Sequence, residues 1–424
     1  MQLKALRGTT DLFSPTIEKW GRLERIARDI FKLYGFKEIR TPLLEETVLF
    51  QRAIGETTDL VEKQMYSFLD RGERSVTLRP EGTAPVIRAY LEHHFDNNPG
   101  LTRLFYIGPM FRAERPQAGR NRQFHQIGGE VIGSSDARVD AETLSLVMHF
   151  FEKAGLSGTT LHLNSLGCES DKKKVALFFR QTLEKDKHLL CETCQERFQR
   201  NIYRILDCKE PPCRQVVQKL PPILDELCGP CKEHYDLLKR ALVQYKIDFS
   251  EAPHLVRGLD YYTRTAFEIT HPQLGAQDAV CAGGRYDGLV AALGGKPTGS
   301  FGFSVGFERL ILALEAQKAG AAVEDSLSIF IATIGENTQE TAFSLLQDLR
   351  RAGISSILDF EGKSLKSQMR LADHLRARWV VLVGEDELKK GEVTVKEMAS
   401  GQEERISKTR LVEALSERLQ EKIS

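Results

Sequence analysis

The feature that most constrains the fold is an arginine-rich turn between two strand-like segments, LFYIGPMFRAERPQAGRNRQFHQIGGEV, running from Leu104 to Val131. Successive side chains of a strand point to opposite faces of its sheet. In the first segment one face is apolar and carries Phe105, Ile107, Phe111 and Ala113. The other face carries Tyr106, Gly108, Arg112 and Glu114. The alternation predicts an antiparallel hairpin with one core face and one polar face.

The returning segment repeats this division. Its polar face carries Phe124, Gln126, Gly128 and Glu130, opposite Ile127 and Val131. A hairpin at the exposed edge of a sheet would explain polar residues on one face. However, glycines such as Gly128 and Gly129 weaken a strand unless a ligand or another backbone approaches closely. The glycine pair therefore favours a binding surface.

The loop between the two segments holds three arginines, Arg115, Arg120 and Arg122, with only Glu114 nearby to balance them. A buried arginine without a partner is strongly destabilising, whereas a phosphate offers it bidentate, charge-assisted hydrogen bonds. The loop therefore predicts a nucleoside triphosphate site, in which Phe124 offers a ring for base stacking.

Three other segments carry polar groups that fit such a site. In TLRPEGTAP, Glu81 is expected at the end of a strand and Thr83 as the N-cap of the next helix. A surface glutamate in a turn is the alternative. In VRGLDYYTRTAFE, Arg257 precedes a glycine turn and the pair Tyr261 and Tyr262, which could equally be sheet packing. In SFGFSVGFERL, Arg309 begins a helix, where free N–H groups already favour anions.

Composition describes an ordinary globular chain. It has 424 residues, 41% hydrophobic and 28% charged, and a formal net charge of zero. A polyanion would therefore be held by local patches, because no global field attracts it. The first residues, MQLKALRGTTDLFSP, contain no signal-like apolar stretch, and no run approaches the roughly 18 apolar residues of a membrane span. These features predict a cytoplasmic protein without a membrane partner.

Six of the eight cysteines fall between Cys191 and Cys231, in CETC, DCKEPPC and CGPC. In a reducing compartment, paired C-x-x-C units indicate structural zinc more than disulfides. The favoured zinc ligands are Cys191, Cys194, Cys228 and Cys231, with Cys208 and Cys213 as possible substitutes. A small helical insert with reduced thiols is the alternative.

Periodicity and composition predict four parts of the chain: a catalytic domain over 1–170, a helical cysteine-rich insertion over 171–245, a second catalytic part over 246–320, and an α/β domain over 327–424. A linker, AQKAGAAVEDS, precedes the last part. Helices are predicted over Pro15–Tyr34, Ala84–His94 and Ala141–Ala154, and a strand over KEIRTPLLE.

Together and in this order, the segments resemble the histidyl-tRNA synthetase family of class II aminoacyl-tRNA synthetases. KEIRTPLLE, FRAERPQAGRNRQFHQIGGE and GFSVGFERL are similar to the three class II motifs, and RGLDYYTRTAFE and AGGRYDGL to two segments particular to the histidine enzymes. The resemblance implies an α+β fold: an antiparallel-sheet catalytic domain with a helical insertion, followed by a small α/β anticodon-binding domain. It also implies a homodimer, formed through the first motif.

The implied activity has two steps. L-Histidine reacts with ATP, accompanied by Mg²⁺, to give histidyl-adenylate and pyrophosphate, and histidine then passes to the 3′ end of tRNA(His). Arg112 and Arg257 would be catalytic, and ATP would bind Arg112, Phe124 and Arg309. The implied histidine site comprises Glu81, Thr83, Arg112, Gln126, Glu130, Arg257, Tyr261 and Tyr262. The resemblance does not require zinc, so that prediction depends on cysteine spacing alone.

Two other functions fit parts of this pattern. A synthetase-like regulatory subunit of histidine biosynthesis would keep the fold but lose catalytic residues and the anticodon domain. The presence of Arg112, Arg257, Arg309 and the C-terminal block argues against it. Another class II synthetase or ATP-dependent ligase would take a different amino acid, and RGLDYYTRTAFE argues against that alternative.

Overall fold

The computed structural model describes residues 3–56, 58–117, 119–317 and 327–420. The chain divides into two compact units, Met1–Ala321 and Ala322–Ser424. The predicted linker lies outside the described residues from Lys318 onward. The finer division of the first unit into catalytic parts and an insertion stays a prediction.

The described residues form sixteen strands and fourteen α-helices. The strands are β1 (Lys37–Glu38), β2 (Leu44–Glu46), β3 (Tyr66–Leu69), β4 (Ser75–Leu78), β5 (Thr102–Phe111), β6 (Gln123–Ile132), β7 (Thr160–Ser165), β8 (Ser250–Glu251), β9 (Thr263–Thr270), β10 (Ala279–Arg285), β11 (Ser300–Gly306), β12 (Ile329–Ile334), β13 (Ser356–Leu358), β14 (Trp379–Gly384), β15 (Glu392–Glu397) and β16 (Glu403–Ser407). The helices are α1 (Thr16–Leu33), α2 (Thr47–Ile54), α3 (Thr83–Glu92), α4 (Ala137–Ala154), α5 (Glu169–Leu183), α6 (Glu192–Arg200), α7 (Pro211–Val217), α8 (Gly229–Gln244), α9 (Leu289–Ala292), α10 (Phe307–Ala316), α11 (Gln339–Arg351), α12 (Leu365–His374), α13 (Glu385–Lys389) and α14 (Leu411–Gln420).

An eight-stranded sheet, in the order β1-β5-β6-β11-β10-β9-β7-β8, is the framework of the first unit. Its six central strands run antiparallel to their neighbours, and only the outer strands β1 and β8 pair in parallel. The predicted hairpin is the β5–β6 pair, in which Thr102 lies opposite Ile132 and Phe111 opposite Gln123. The predicted α+β fold with an antiparallel catalytic sheet is therefore confirmed.

The predicted strand KEIRTPLLE is wrong as a single element. Lys37–Glu38 joins the edge of the large sheet beside β5, whereas Leu44–Glu46 pairs with β4 in a separate three-stranded sheet, β2-β4-β3. The break coincides with Pro42, which has no N–H group to donate to a strand neighbour. The two strands therefore belong to different sheets.

Helices pack on the apolar face of the large sheet. In α1 the buried residues Trp20, Leu23, Ala27 and Ile30 recur at helical spacing, which explains the helix predicted there. Phe31 stacks on Phe105 of β5 with 4.3 Å between ring centroids. This packing leaves the opposite face of the β5–β6 hairpin free to form a site.

A fully buried ion pair joins α4 to the sheet. Arg285, at the end of β10, donates from Nη2 to Oδ1 of Asp140 on α4 at 2.5 Å. Thr265 of β9 donates to the other carboxylate oxygen at 2.6 Å. Although burial alone would lower the pKa of Arg285, Asp140 raises it above its ordinary value, so Arg285 stays charged.

Helices α5 to α8 lie in the predicted insertion and share an apolar core that includes Phe179, Ile205 and Leu220. In the second unit, β13, β12 and β14 are parallel, as the alternating pattern predicts. Antiparallel β15 and β16 extend this sheet and were not predicted. Within the described residues, no helix is both long and apolar enough to cross a membrane.

Candidate active site

The polar face of the β5–β6 hairpin forms one wall of a cavity of about 970 Å³ in the first unit. Arg112, Arg257 and Arg309, which lie far apart in the sequence, all line it. Six other predicted site residues line the same cavity: Glu81, Thr83, Phe124, Gln126, Tyr261 and Tyr262. Glu130 lies behind this wall, fully buried. The structure therefore brings the predicted site residues together.

Arg112 lies just beyond the end of β5, where its backbone N–H still bonds across the hairpin to the carbonyl of Arg122. Its Nε donates to the carbonyl oxygen of Pro80 at 2.9 Å, which holds the guanidinium beside the Glu81 segment. The guanidinium carbon also lies 5.1 Å from the ring centre of Phe124. Burial lowers the pKa of Arg112, and Glu114 and Glu81 oppose that shift.

Arg309, in the first turn of α10, is held by two carbonyl oxygens. Its Nε donates to Gly119 at 3.0 Å, and its Nη1 donates to Ala279 at 2.9 Å. Burial lowers the pKa of Arg309, and the positive charges of Arg120 and Arg112 lower it further. Within the described chain, neither Arg112 nor Arg309 has a carboxylate within 4.0 Å. Clustered guanidinium groups without a directly paired carboxylate are typical of an anion site.

Arg257 has a carboxylate partner. Its Nη1 donates to Oε2 of Glu268 at 2.5 Å, while its buried Nε has no hydrogen-bond partner among the described residues. Burial alone would lower the pKa of Arg257, but Glu268 and Tyr262 raise it above its usual value. Glu268 thus fixes one edge of the guanidinium, and the Nε donor of Arg257 remains unsatisfied.

Thr83 is not the N-cap that the sequence analysis predicted. Helix α3 begins at Thr83, and the carboxylate of Glu81 accepts from the N–H groups of Thr83 at 2.7 Å and Ala84 at 2.8 Å. A carboxylate is stabilised there because the first N–H groups of a helix lack partners within it. The hydroxyl of Thr83 is thereby free to donate to Glu130 at 2.8 Å.

Glu130 accepts a second hydrogen bond, from the hydroxyl of Tyr286 at 2.5 Å. Burial raises the pKa of Glu130 to about 8, against the opposing effect of the Tyr286 and Thr83 hydroxyls. Near neutral pH this carboxyl therefore holds a proton in the ligand-free protein. Tyr286 belongs to the segment AGGRYDGL and follows Arg285 of the buried ion pair, which fixes its position.

Gln126 and the two tyrosines complete the polar lining. The amide nitrogen of Gln126 donates weakly to Ser304 at 3.4 Å, and its buried Oε1 has no partner among the described residues. The rings of Tyr261 and Tyr262 lie 4.7 Å apart between centroids. Burial raises the pKa of Tyr262 to about 12, with Arg257 opposing the shift, so its hydroxyl is a donor at neutral pH.

The glycines of the hairpin have a different role from the predicted one. A Cβ at Gly128 would lie 2.2 Å from the ring of Tyr106, and one at Gly129 would lie 2.9 Å from the rings of Phe303 and Phe31. The close approach comes from aromatic side chains of the protein, not from a ligand or a backbone. Tyr106 itself lines the cavity.

The predicted zinc quartet does not form one cluster. Cys191 and Cys194 lie with Cys208 and Cys213, whereas Cys228 and Cys231 lie with Cys168 and Asp171. In each group the candidate ligand atoms are all within 4.8 Å of one another. The spacing of cysteines in the sequence does not determine which C-x-x-C units come together in the fold. The pair Cys168 and Asp171 has the same spacing but was not predicted as a ligand pair, because its second residue is an aspartate.

The histidyl-tRNA synthetase family model matches residues 8–171 and 211–310 of the chain, and an anticodon-binding domain model matches residues 328–418. The chain is 49% identical to the histidine–tRNA ligase of Desulforudis audaxviator (strain MP104C), over 98% of this chain and 99% of that protein. The chain belongs to the histidyl-tRNA synthetase family. The ligase of Halothermothrix orenii is 47% identical over 98% of this chain and 99% of its own length.

The fold agrees with this family. The crystal structure of apo S. aureus histidyl-tRNA synthetase superposes with a TM-score of 0.84 at 37% identity, covering 98% of this chain and 100% of that one. Three of the segments whose resemblance indicated the histidyl-tRNA synthetase family line the cavity, namely FRAERPQAGRNRQFHQIGGE, RGLDYYTRTAFE and GFSVGFERL, whereas AGGRYDGL contributes only Ala282 and KEIRTPLLE no residue.

Sequence reasoning assigned no site role to Glu268, Tyr286 or Tyr106. It also missed other residues that line the cavity, among them Asp59 and His254. Glu268 had a usable signal, since it is the one acidic residue in the otherwise uncharged run TAFEIT. Tyr286 and Tyr106 lie in segments that the sequence analysis singled out, but tyrosines in strands are common packing residues. Their contacts with Glu130 and Gly128 depend on the register between strands.

Glu130→Gln is expected to remove a pH dependence of stability. The folded protein holds a proton on Glu130 up to a pH of about 8, whereas the unfolded chain releases it near the ordinary glutamate pKa of 4.5. The contribution of Glu130 to the free energy of unfolding is therefore complete below pH 4.5 and is lost as the pH rises to about 8. The loss should be on the order of a few kcal/mol.

Unfolding midpoints measured from pH 5 to pH 8 test this expectation. Because glutamine resembles protonated Glu130, the unfolding midpoint of the Gln variant should rise relative to that of the wild type as the pH increases. Glu92→Gln, at the exposed end of α3, is the matched control and should follow the wild type. A constant difference between Glu130→Gln and the wild type at every pH would contradict the raised pKa.

Proposed function

We propose that this chain is a histidine–tRNA ligase that works through the cavity of the first unit. It activates L-histidine with ATP and then esterifies the 3′ end of tRNA(His). The observation that carries the proposal is the convergence of Arg112, Arg257 and Arg309 on one cavity that is also lined by Glu81, Gln126, Tyr261 and Tyr262. The family relationship supports the same activity.

In the first step, a carboxylate oxygen of histidine attacks the α-phosphorus of ATP, and the bond to the β-phosphate oxygen breaks to release pyrophosphate. No enzyme nucleophile is needed, so positioning and charge stabilisation can supply the catalysis. We assign the triphosphate to Arg112 and Arg309, because these guanidiniums lack carboxylate partners among the described residues. We assign adenine to the ring of Phe124, whose centre lies 5.1 Å from the guanidinium carbon of Arg112.

Arg257 is assigned to the α-phosphate as negative charge develops there. Its unsatisfied buried Nε is a donor that a phosphate or carboxylate oxygen would satisfy. Glu268 is a positioning residue, since its carboxylate holds the opposite edge of the same guanidinium.

We assign the imidazole of histidine to Glu81 and Tyr262. One ring nitrogen would donate to the Glu81 carboxylate, and the Tyr262 hydroxyl would donate to the other, so both nitrogens are satisfied. An apolar amino acid would leave these buried groups unpaired, which makes rejection strong. The Gln126 Oε1, buried without a partner, is an acceptor for the α-ammonium group, with Thr83 and Glu130 behind it.

Mg²⁺ fits this cavity through Glu114. The Glu114 side chain lines the cavity beside Arg120 at 3.4 Å, and its Oε2 is buried without a hydrogen-bond partner in the described chain. Magnesium uses one or two carboxylates together with phosphate oxygens. When bound, it would neutralise charge on the β- and γ-phosphates and orient the pyrophosphate leaving group.

In the second step, a hydroxyl of the tRNA 3′ end attacks the histidyl carbonyl carbon, and AMP leaves. The C-terminal unit, which the anticodon-binding model matches, is assigned to the anticodon of tRNA(His). Insertion residues are weaker candidates for the acceptor arm, because Arg197 and Arg204 pair with Asp59 at 2.6 and 3.0 Å. Because these substrates belong to translation, we assign the reaction to the cytoplasm.

A homodimer is supported by apolar side chains exposed on and around the small sheet. They comprise Leu43 and Leu44, which lie within the first class II motif, together with Val48, Phe68 and Leu69. Such a cluster is unusual on a solvated surface and typical of an interface. Light scattering should give about twice the 47.9 kDa mass of the chain.

Amino-acid-dependent exchange of labelled pyrophosphate into ATP tests the proposed activity. L-Histidine should support exchange in the presence of Mg²⁺, while the other standard amino acids should not. Exchange with a different amino acid would overturn the assigned specificity. A pure, folded protein without any exchange would overturn the enzyme assignment.

A further inference from the structure

Seven of the eight cysteines, all described as free thiols, are divided between two compact clusters of four ligands in and beside the insertion. We define the insertion cluster as Cys191, Cys194, Cys208 and Cys213, and the neck cluster as Cys168, Asp171, Cys228 and Cys231. We propose that each cluster binds one structural Zn²⁺, so that the chain carries two zinc ions with different ligand sets, four thiolates in one and three thiolates with a carboxylate in the other.

The distances fit a metal better than disulfides. Zinc–sulfur bonds of about 2.3 Å in a tetrahedron place the sulfurs about 3.8 Å apart. The Sγ atoms of Cys191 and Cys208 are 3.9 Å apart, and all ligand atoms of a cluster lie within 4.8 Å. A disulfide would need a sulfur–sulfur distance of about 2.05 Å. In addition, all four ligand atoms of a cluster lie close to one another, whereas two disulfides would require only that the atoms be close in pairs.

In each cluster, ligand residues lie at the N-terminus of an α-helix. Cys168, Cys191 and Cys228 are the N-cap residues of α5, α6 and α8, and each is followed three positions later by a second ligand, Asp171, Cys194 or Cys231. The unpaired N–H groups at a helix start stabilise a thiolate. All-cysteine tetrahedral sets and sets with one carboxylate both suit zinc.

The neck cluster joins the start of the first helix of the insertion, α5, to the start of its last helix, α8. Cys168 lies shortly after β7, and Cys228 immediately precedes α8, which packs on α4 of the catalytic unit. Asp171 connects them already, because its two oxygens accept from the N–H groups of Cys168 at 3.2 Å and Cys228 at 3.1 Å. Zinc here would fasten the start of α5 to the start of α8.

The neck also adjoins the segment that carries Tyr261 and Tyr262. The backbone of Arg264 exchanges hydrogen bonds with Leu166 and Gly167, each at 2.7 Å, and Lys172 donates to the carbonyl of Asp260 at 3.0 Å. These contacts bracket the tyrosine pair from both sides. The neck metal would thereby support a wall of the active site without touching substrate.

The insertion cluster lies mainly outside the residues that the synthetase family model matches. Three of its four ligands, Cys191, Cys194 and Cys208, fall between the matched segments 8–171 and 211–310. The side chains of Cys194 and Cys213 are fully buried in the apolar core shared by α5 to α8. Zinc would satisfy these buried sulfurs and tie α6 to α7 in a part of the chain with a small core.

Elemental analysis of the full-length protein, purified without chelator from zinc-supplemented medium, tests the proposal. Two zinc ions per chain are expected. Cys194→Ser should lose the insertion zinc and keep one, and Cys231→Ser should lose the neck zinc and keep one. Cys281→Ser is the matched control, because Cys281 is buried in β10 outside both clusters, and it should keep two.

A second measurement does not depend on folding of the variants. Titrating wild-type protein with an organomercurial in the presence of a zinc-sensitive dye should release two zinc ions as seven thiols react. Release of one zinc or none, or stoichiometric iron in place of zinc, would overturn the two-site assignment. Retention of both zinc ions in either Cys194→Ser or Cys231→Ser would overturn the ligand sets.

Discussion

Arg257→Ala is expected to reduce the rate constant for histidyl-adenylate formation by about 10²–10³-fold, the cost of removing one preorganised donor to developing charge. ATP should still bind with nearly wild-type affinity, because the triphosphate is assigned to Arg112 and Arg309. Single-turnover kinetics of pyrophosphate release at saturating ATP and histidine measure the first quantity, and nucleotide titration measures the second.

Glu268→Gln is the matched control for Arg257→Ala. It keeps the guanidinium but removes the carboxylate that accepts from Nη1 at 2.5 Å. A positioning role predicts a smaller loss in the rate constant and little change in ATP affinity. If Arg257→Ala lowered only the unfolding temperature and left the rate constant intact, the catalytic assignment of Arg257 would be wrong.

Asp140→Ala should be among the most destabilising single substitutions in the first unit, by about 3 kcal/mol. It removes the fully buried carboxylate partner of Arg285 and leaves only the partly exposed Asp287, 2.8 Å from Nη1, to balance that charge. Arg285 and Asp140 are both fully buried, so neither can regain water without opening the core. His234, whose Nε2 lies 3.7 Å from Oδ2 of Asp140, cannot compensate, because Arg285 needs a negative charge and an imidazole supplies none. Urea denaturation followed by tryptophan fluorescence measures the loss.

A double variant distinguishes the net contribution of the ion pair to stability from the destabilisation caused by removing only one partner. Replacing both partners with apolar residues, Asp140→Leu with Arg285→Met, should recover much of the lost stability. Activity should recover less, because Arg285 precedes Tyr286, whose hydroxyl bonds to Glu130. A single Asp140→Ala variant as stable as the wild type would contradict this account of the core.

The hairpin shows how far sequence reasoning reaches. Period-two alternation placed Phe105 in the core and Arg112 on the opposite face, and the structure agrees, because the alternation of side chains is a local property of the backbone. The same reasoning could not show what approaches Gly128. That position faces Tyr106, its partner across the β5–β6 pair, and the outcome depends on how that ring turns.

Contacts between residues that lie far apart in the sequence could be identified only from the structure. The arginine with the strongest buried ion pair, Arg285, appeared in the sequence only as part of a glycine-rich segment, since its partner Asp140 lies on a distant helix. The cysteine spacing indicated metal binding, but the pairing of C-x-x-C units depends on how α5 to α8 fold together. Glu81 was predicted at a strand end but lies three residues beyond the end of β4. Its carboxylate accepts from the first N–H groups of α3, whereas the sequence pattern assigned the N-cap role to Thr83.

The most direct test is a crystal structure of the protein with ATP, Mg²⁺ and histidinol, an analogue that lacks the attacking carboxylate. The account predicts phosphate oxygens within hydrogen-bond distance of Arg112 and Arg309, adenine against Phe124, and the imidazole between Glu81 and Tyr262. Nucleotide density away from these arginines, or an imidazole bound elsewhere in the cavity, would contradict it.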